Sequence, residues 1–257
     1  MSHKFKPNLG KPHNRKLGPD IWTWSIPAGL TCPGATKACL SCCYALTGMF
    51  TMPDVSKSYH LNWQAAASDK FVHWAINEIR RKNISVFRIH VSGDFFSPKY
   101  ANKWVKIVKA LPHVTFYAYT RSWRVKSIVP VLKKLSALRN MHLWLSADVD
   151  TGKPIRISRA RVAWMSRNEA EHQHIPGNTN LVFRNHTSTV LKSIANARVC
   201  PVENGVTLRT PLTCSKCRIC FSSQKRTSPH SKGNANAMFS CRQPTPTRSR
   251  GRRLTAV

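Results

Sequence analysis

Residues 85–119 read SVFRIHVSGDFFSPKYANKWVKIVKALPHVTFYAY, a pattern that predicts a strand, a helix and a second strand. The β-branched and aromatic residues of 85–91 and 114–119 favour the two strands. Between them, Ser97 is a typical helix N-cap, apolar residues follow at helical spacing, and Pro112 ends the helix. The stretch is therefore a β-α-β unit, which implies two parallel strands joined by a right-handed crossover.

The same alternation extends along most of the chain. Further strands are predicted at 21–26, 142–146, 161–165 and 181–184, and further helices at 56–82 and 125–138, the latter bent at Pro130. Six or so parallel strands are compatible with a partial barrel or an open doubly wound sheet. Because polar, ligand-type residues recur just after several strands, the favoured fold class is α/β with a partial or complete (β/α) TIM-like barrel and a C-terminal cysteine-rich cluster-binding segment.

Composition divides the chain into four regions. They are a flexible basic arm (1–19), a barrel-like domain with an N-terminal cysteine loop (20–195), a cysteine-rich metal- or cluster-binding segment (196–241) and a disordered basic tail (242–257).

The 257 residues are 42% hydrophobic, which supports a packed core. The sequence has no run of about 18 apolar residues, so no membrane-spanning helix is predicted. The N-terminus also lacks the apolar segment of a secretory signal. A reducing cytoplasm is therefore expected, and disulfides become the weaker interpretation of the cysteines.

The charge is strongly positive, with 41 Lys and Arg against 10 Asp and Glu, or +31. Solubility alone asks for a net charge of only about 2–8 in a small domain. Such a field attracts polyanions, so nucleic acid, DNA or RNA, is the predicted partner. A generally basic proteome and an anionic membrane surface are the alternatives, and no membrane partner is expected.

The early cysteine group lies in TCPGATKACLSCCYA, residues 31–45, directly after the first predicted strand. Cys32, Cys39 and either Cys42 or Cys43 are candidates for three thiolates on a four-iron cluster, which would leave one iron open. Adjacent cysteines point in different directions, so only one of Cys42 and Cys43 is expected to be a primary ligand. The alternative is a closed zinc or cluster site that uses all four thiols.

The late cysteine group comprises Cys200, followed by Pro201, and Cys214, Cys217 and Cys220 in CSKCRIC. Successive two-residue gaps with a Cys-Pro are typical of ferredoxin-type loops, so a 4Fe-4S cluster is favoured and zinc is the alternative. Cys241 is a spare ligand or a free thiol.

Polar residues follow the second, third and fourth predicted strands of the chain, which are 85–91, 114–119 and 142–146. Ser92, Gly93 and Asp94 are candidate cofactor-binding residues, with a Gly that permits close approach to the backbone. Asp94, Arg121 and Asp148 are the candidate catalytic residues, since Arg121 suits a phosphate or carboxylate and Asp148 a ribose or an ammonium group. The alternatives are that Asp94 is an ordinary turn residue and that Arg121 and Asp148 form a structural ion pair.

Several motifs together resemble the phage "gene product 88" family over roughly residues 20–222. The motifs are TWSIPAGLTCPGATKAC, CYA, RIHVSGDFFSPKY, FYAYTRS and the late CP…CxxCxxC. The resemblance implies a phage origin, hence the host-cell cytoplasm, and implies no particular activity. The expected function is a phage-type iron–sulfur (or zinc) protein that binds nucleic acid in phage replication or host takeover.

More remotely, the layout is similar to radical S-adenosylmethionine enzymes, which hold an open-iron cluster after the first barrel strand. In that comparison, Ser92 to Asp94 fall where those enzymes bind the cofactor's amino group, and the late cysteines resemble an auxiliary cluster. Those enzymes usually carry CxxxCxxC, whereas here Leu46 stands three residues after Cys43, at the position of the third cysteine. Cys32 would have to serve as the third ligand. The alternative function is thus a radical S-adenosylmethionine-like enzyme that modifies nucleic acid or protein.

Overall fold

Parallel strands form the centre of this computed structural model, which describes residues 5–12, 14–184, 198–203 and 212–222. Within these residues the sheet has seven strands in the order of the chain, and each pairs in parallel with the next. The strands are β1 (Ile21–Trp24), β2 (Val86–Ile89), β3 (Thr115–Thr120), β4 (Met141–Ala147), β5 (Arg161–Ser166), β6 (Leu181–Arg184) and β7 (Arg198–Val199).

Six α-helices lie in the described residues, the first five of them between β1 and β4 and the sixth after β7. They are α1 (Lys37–Ser41), α2 (Pro53–Ala67), α3 (Phe71–Arg81), α4 (Pro98–Ala110), α5 (Val129–Ala137) and α6 (Cys214–Cys217). Short 3-10 helices lie at Tyr44–Leu46, Gly48–Thr51, Ser122–Arg124, Glu169–His174 and Ile219–Phe221. None of the helices in the described residues is long and apolar enough to cross a membrane.

The two faces of the sheet are covered differently. Phe87 and Ile89 of β2 point into the main core, where the apolar residues of α2 to α5 pack. Val86 points to the opposite face, here called the inner face, and packs with Tyr117 of β3 and Phe221. Because side chains alternate along a strand, β1 to β4 each have one side in the helix-covered core and one side that packs against the late cysteine segment.

The predicted parallel α/β architecture is confirmed. The sequential strand order is the one found in β/α barrels and differs from that of doubly wound sheets. β1 and β7 are the end strands of the sheet over the described residues, which is compatible with a partial β/α fold. Closure into a TIM barrel is not seen in these residues.

Two helix predictions are wrong in detail. The single helix predicted at 56–82 is two helices, α2 and α3, because Ser68 adopts an extended backbone and its hydroxyl accepts a hydrogen bond from the amide of Lys70. Pro130 does not bend a helix but lies in the first turn of α5, where its missing N–H costs nothing.

The described part of the basic arm lies against the sheet. Leu9 and Leu17 are buried, and Gly10 forms an antiparallel bridge with Thr23 of β1. The predicted tail 242–257 and Cys241 lie outside the described residues, as do 185–197, 204–211 and the rest of the chain beyond 222.

Candidate functional site

The early cysteine helix α1 is held by the loop that follows β4. Thr36 caps α1, where its hydroxyl accepts from the Cys39 amide at 2.9 Å and donates to Asp148 at 2.8 Å. The Ala38 amide donates to Asp150 at 2.8 Å. Two carboxylates therefore meet the amide end of a helix that carries Cys39 and ends beside Cys42.

Two glycines let the early cysteine loop approach its neighbours closely. A Cβ at Gly34 would lie 2.0 Å from the Arg121 carbonyl oxygen. At Gly93, where φ is +83°, a Cβ would lie 2.3 Å from the Ile26 side chain and 2.6 Å from Thr31. The space beside Gly93, where a ligand was predicted to approach the backbone, is thus occupied by residues of the loop that follows β1.

Asp94 binds the start of the loop after β3. Its carboxylate accepts from the Thr120 hydroxyl at 2.6 Å and from the amides of Arg121 at 2.7 Å, Ser122 at 3.2 Å and Phe95 at 2.7 Å. Burial raises the pKa of Asp94, and these hydrogen bonds act in the opposite direction. The Asp94 carboxylate therefore holds the backbone at Phe95 and at the end of β3 in position.

Arg121 and Asp148 lie together as a buried ion pair with an N···O distance of 2.6 Å. This is the structural pairing that the sequence left as an alternative to catalysis. Ser92 is also buried, and its hydroxyl donates to the Ile26 carbonyl at 2.9 Å. The candidate cofactor and catalytic residues thus have partners inside the protein, and their roles in binding or catalysis remain predictions.

The late cysteine segment packs against the basic arm at two places. The amides of Cys214 and Ser215 donate to the carbonyls of Lys16 and Leu17, both at 2.9 Å. The side chain of Lys16 forms an ion pair with Glu203, which follows Cys200 closely in the chain. The arm therefore connects the two parts of the late cysteine group.

The end of this segment is fastened across the inner face of the sheet. The Cys220 carbonyl accepts from the Trp144 indole and from Arg161, both at 2.8 Å. The Tyr119 hydroxyl donates to the Cys220 sulfur at 2.7 Å. Arg161 also stacks over the Trp144 ring at 4.0 Å, so β3, β4 and β5 jointly fix the position of Cys220.

Both cysteine groups reach one cavity of about 220 Å³. Its lining contains six thiols, those of Cys39, Cys42, Cys43, Cys200, Cys214 and Cys220. Cys32 and Cys217 are not part of this lining. Sequence reasoning placed the two groups in separate sites. It also did not identify Arg88 and Met165, which line the cavity as well. The only sequence feature that could have indicated these two residues is the alternation of side chains along a strand, which turns them toward the inner face.

Burial favours the protonated form of four of these thiols in particular. Burial raises the pKa of Cys32 and Cys200 to about 12 and of Cys214 and Cys220 to about 11. The eight described cysteines are not joined in disulfides. Among the described residues, no three Cys, His, Asp or Glu side chains are already arranged to hold a metal ion. Metal binding would require the ligating thiols to lose their protons.

Residues 4–228 match the Gene product 88 family. The "Gene 88 protein" of Mycobacterium phage L5 is 34% identical over 133 residues, which cover 48% of this chain and 54% of that protein. The "Gene 88 protein" of Mycobacterium phage D29 is 32% identical over the same coverage. The chain thus spans about half the length of the curated relatives it matches. No solved structure matches it.

These matches confirm the predicted resemblance to a phage family. They lend no support to the more remote similarity to radical S-adenosylmethionine enzymes.

Proposed function

We propose that this chain, which belongs to the Gene product 88 family, is an iron–sulfur protein that binds nucleic acid. The role we propose for it is in phage replication or host takeover, in the cytoplasm of the host cell. Zinc is the alternative metal.

The observation that carries the metal proposal is the convergence of six thiols, from two distant parts of the chain, on one cavity. Clustered thiols that are not in disulfides are most often metal ligands. The CxxCxxC spacing of Cys214, Cys217 and Cys220, with Cys200-Pro201, favours a four-iron cluster over zinc.

The nucleic-acid proposal is supported by a basic surface on two neighbouring helices. No acidic residue lies in the sequence between Asp94 and Asp148. Within that stretch, α4 and α5 pack against each other and expose lysines to solvent. We call these lysines the α4–α5 surface: Lys99, Lys106, Lys109, Lys133 and Lys134. Lys99 lies 3.6 Å from the exposed Asp69, whereas the other four lysines have no acidic partner among the described residues. A lysine-rich surface of this kind is suited to the phosphate backbone of nucleic acid.

Metal content tests the first half of the proposal. Anaerobic purification followed by iron and acid-labile sulfide assays should give both elements in proportion to protein. Stoichiometric zinc in a colourless protein would replace the iron–sulfur centre with the zinc alternative. A chain that binds neither metal, also after reconstitution, would end the metal proposal.

Charge reversal tests the second half. Lys133→Glu with Lys134→Glu should weaken nucleic-acid binding, and should flatten the dependence of log Kd on log salt by about one unit or more. The matched control is Lys57→Glu with Lys70→Glu, which changes the net charge equally on α2 and beside α3. Equal losses in both variants would mean that the α4–α5 surface is not the binding site, and salt-insensitive binding would end the proposal.

The contacts of the candidate cofactor residues favour this binding function over the radical S-adenosylmethionine alternative. Ser92, Gly93 and Asp94 are all engaged by the β1 and β3 loops. Release of 5′-deoxyadenosine on reduction with S-adenosylmethionine, abolished by Cys39→Ala, would reverse that preference.

A further inference from the structure

Arg88 is a cation on the inner face that belongs to none of the ion pairs of the described residues. It lies on β2, is half-buried and lines the cavity. Its guanidinium donates to the His90 carbonyl at 3.3 Å, lies 3.4 Å from the Tyr44 hydroxyl and stacks over the Tyr119 ring at 5.5 Å. A guanidinium carries five N–H donors, and these contacts use only its Nε and Nη2 groups. The Nη1 group of Arg88 therefore has no partner in the part of the chain that the structure describes.

The two other cations that line the cavity are each paired with a carboxylate. Arg121 pairs with Asp148, and Lys16 pairs with Glu203. An arginine cannot be deprotonated in a protein, and a charge taken out of water is costly unless other groups compensate it. Arg88 is thus the one cation of the cavity, over the described residues, whose charge is left for an anion from solution.

The Tyr117 hydroxyl is a second polar group of this site that lacks a partner. Tyr117 of β3 stands opposite Arg88 in the register of the parallel strands β2 and β3, so both side chains project from the same face. Tyr117 lines the cavity and is only 2% exposed, and within the described ranges its hydroxyl makes no hydrogen bond. Because buried polar groups in native proteins nearly always have a partner, a ligand that accepts from both Arg88 and Tyr117 is indicated.

The walls beside these two polar groups are apolar. Tyr119, Phe183 and Met165 line the cavity, and the rings of Tyr119 and Phe183 meet edge to face at 5.3 Å. Small-molecule sites typically combine such walls with a few polar groups that fix the orientation of the ligand. The cavity of about 220 Å³ is smaller than the pockets of about 300–1,000 Å³ that hold drug-sized ligands. It therefore suits a small anion with an apolar body.

Tyr44 lies where this cavity meets solvent. The residue lines the cavity and is nevertheless 41% exposed. Its hydroxyl donates to the Val91 carbonyl, and its ring meets the Phe50 ring edge to face at 5.4 Å. Because the same hydroxyl lies 3.4 Å from the Arg88 guanidinium, the exposed rim of the cavity is next to its cation. A small ligand can therefore reach Arg88 from solution.

We infer that this cavity binds a small organic anion. The carboxylate or phosphate group of the anion accepts hydrogen bonds from Arg88 and Tyr117. Its apolar body lies against Tyr119, Phe183 and Met165. Arginine binds carboxylates and phosphates alike through parallel N–H donors, so the ligand chemistry is an oxyanion on a small apolar group. The thiols of the cavity are not its ligands, so the inference goes beyond the proposed metal-binding function and does not depend on it.

Calorimetric titration of the wild-type chain with benzoate and with phenyl phosphate is the first test. The two probes carry the same ring, so their comparison shows which oxyanion the site takes. At least one should bind, at one molecule per chain, and benzamide, which has the ring without the charge, should bind about tenfold more weakly or worse. Equal affinity for benzamide, or no binding of either anion at millimolar concentration, would overturn the inference. Metal content of the same sample decides the proposed function separately.

Arginine variants test whether the anion binds at Arg88. Arg88→Met should weaken binding of the preferred probe by about tenfold or more, because the oxyanion loses its charged donors. The matched control is Arg139→Met, which removes the same charge from an exposed arginine between α5 and β4 and should retain the affinity. Arg88→Lys keeps the charge without the planar fork of donors and should fall between wild type and Arg88→Met. Equal losses in Arg88→Met and Arg139→Met would mean a general effect of charge and would overturn the inference.

Tyr117→Phe separates a role in ligand binding from a structural one. The change removes only a hydroxyl that the described residues leave without a partner, so the free energy of unfolding of the ligand-free chain should not fall. Binding of the preferred probe should nevertheless weaken by about fivefold. A variant that loses stability but binds the probe as tightly as wild type would overturn the assigned site.

Discussion

Gly93→Ala is expected to destabilise the protein strongly, because two separate costs fall on one methyl group. The residue has φ of +83°, a conformation that costs an L-residue about 1–2 kcal/mol. The added Cβ would also lie 2.3 Å from Ile26 Cγ1 and 2.9 Å from the Ile26 carbonyl oxygen. Overpacking of this kind typically costs about 1–3 kcal/mol. The two together predict a loss of about 2–5 kcal/mol in the free energy of unfolding.

Gly152→Ala is the matched control. Gly152 has φ of +61°, but a Cβ there would meet nothing within 4 Å. The control therefore carries only the backbone cost of about 1–2 kcal/mol.

Urea unfolding of both variants measures the difference, provided that the m-value stays constant. Gly93→Ala should be the less stable by at least about 1 kcal/mol, the lower limit for overpacking. Equal losses in the two variants would refute the conclusion that the β1 cysteine loop is packed directly against residue 93.

Three further perturbations follow from single contacts. Arg121→Met should lower the free energy of unfolding in urea by about 3–5 kcal/mol, because it leaves Asp148 buried without its cation. A loss below about 1 kcal/mol would contradict a tight ion pair. Ser97→Ala should lower the free energy of unfolding by about 0.5–2 kcal/mol in the same assay, because the Ser97 hydroxyl accepts a hydrogen bond from the Tyr100 amide at the start of α4. An unchanged urea midpoint would count against that helix cap. Burial, and then the charges of two nearby arginines, lower the pKa of His142 in the folded protein to about 4, whereas the unfolded chain has a pKa of about 6.5. Because the unfolded state therefore binds the proton first, the free energy of unfolding should fall as the pH drops from about 6.5 to about 4. His142→Gln should lessen that fall, and parallel stability–pH curves for wild type and variant would disprove the shift.

Much of the local structure could be predicted because it depends on neighbouring residues. The Ser97 cap, the strand at Leu181–Arg184 and the parallel order all rest on short patterns of side-chain chemistry. The break at Ser68 could not be predicted from apolar spacing alone, since residues 56–82 keep a helical pattern through it.

The candidate site was predictable only in its parts. The motifs identified Asp94, Arg121 and Asp148 as noteworthy, but their partners lie on other loops of the sheet. Arg88 was not identified, because a lone arginine in a strand gives no sign of whether a carboxylate faces it.

The amino-acid sequence alone establishes the β/α alternation, the positive charge and the two groups of closely spaced thiols, all properties of short segments or of composition. It does not establish that the two groups share a cavity. That depends on the arm at Lys16 and Leu17, and on Tyr119, Trp144 and Arg161, which hold the late segment against the inner face. These contacts join residues far apart in the chain, so only the tertiary structure brings the thiols of Cys39 and Cys220 to one place.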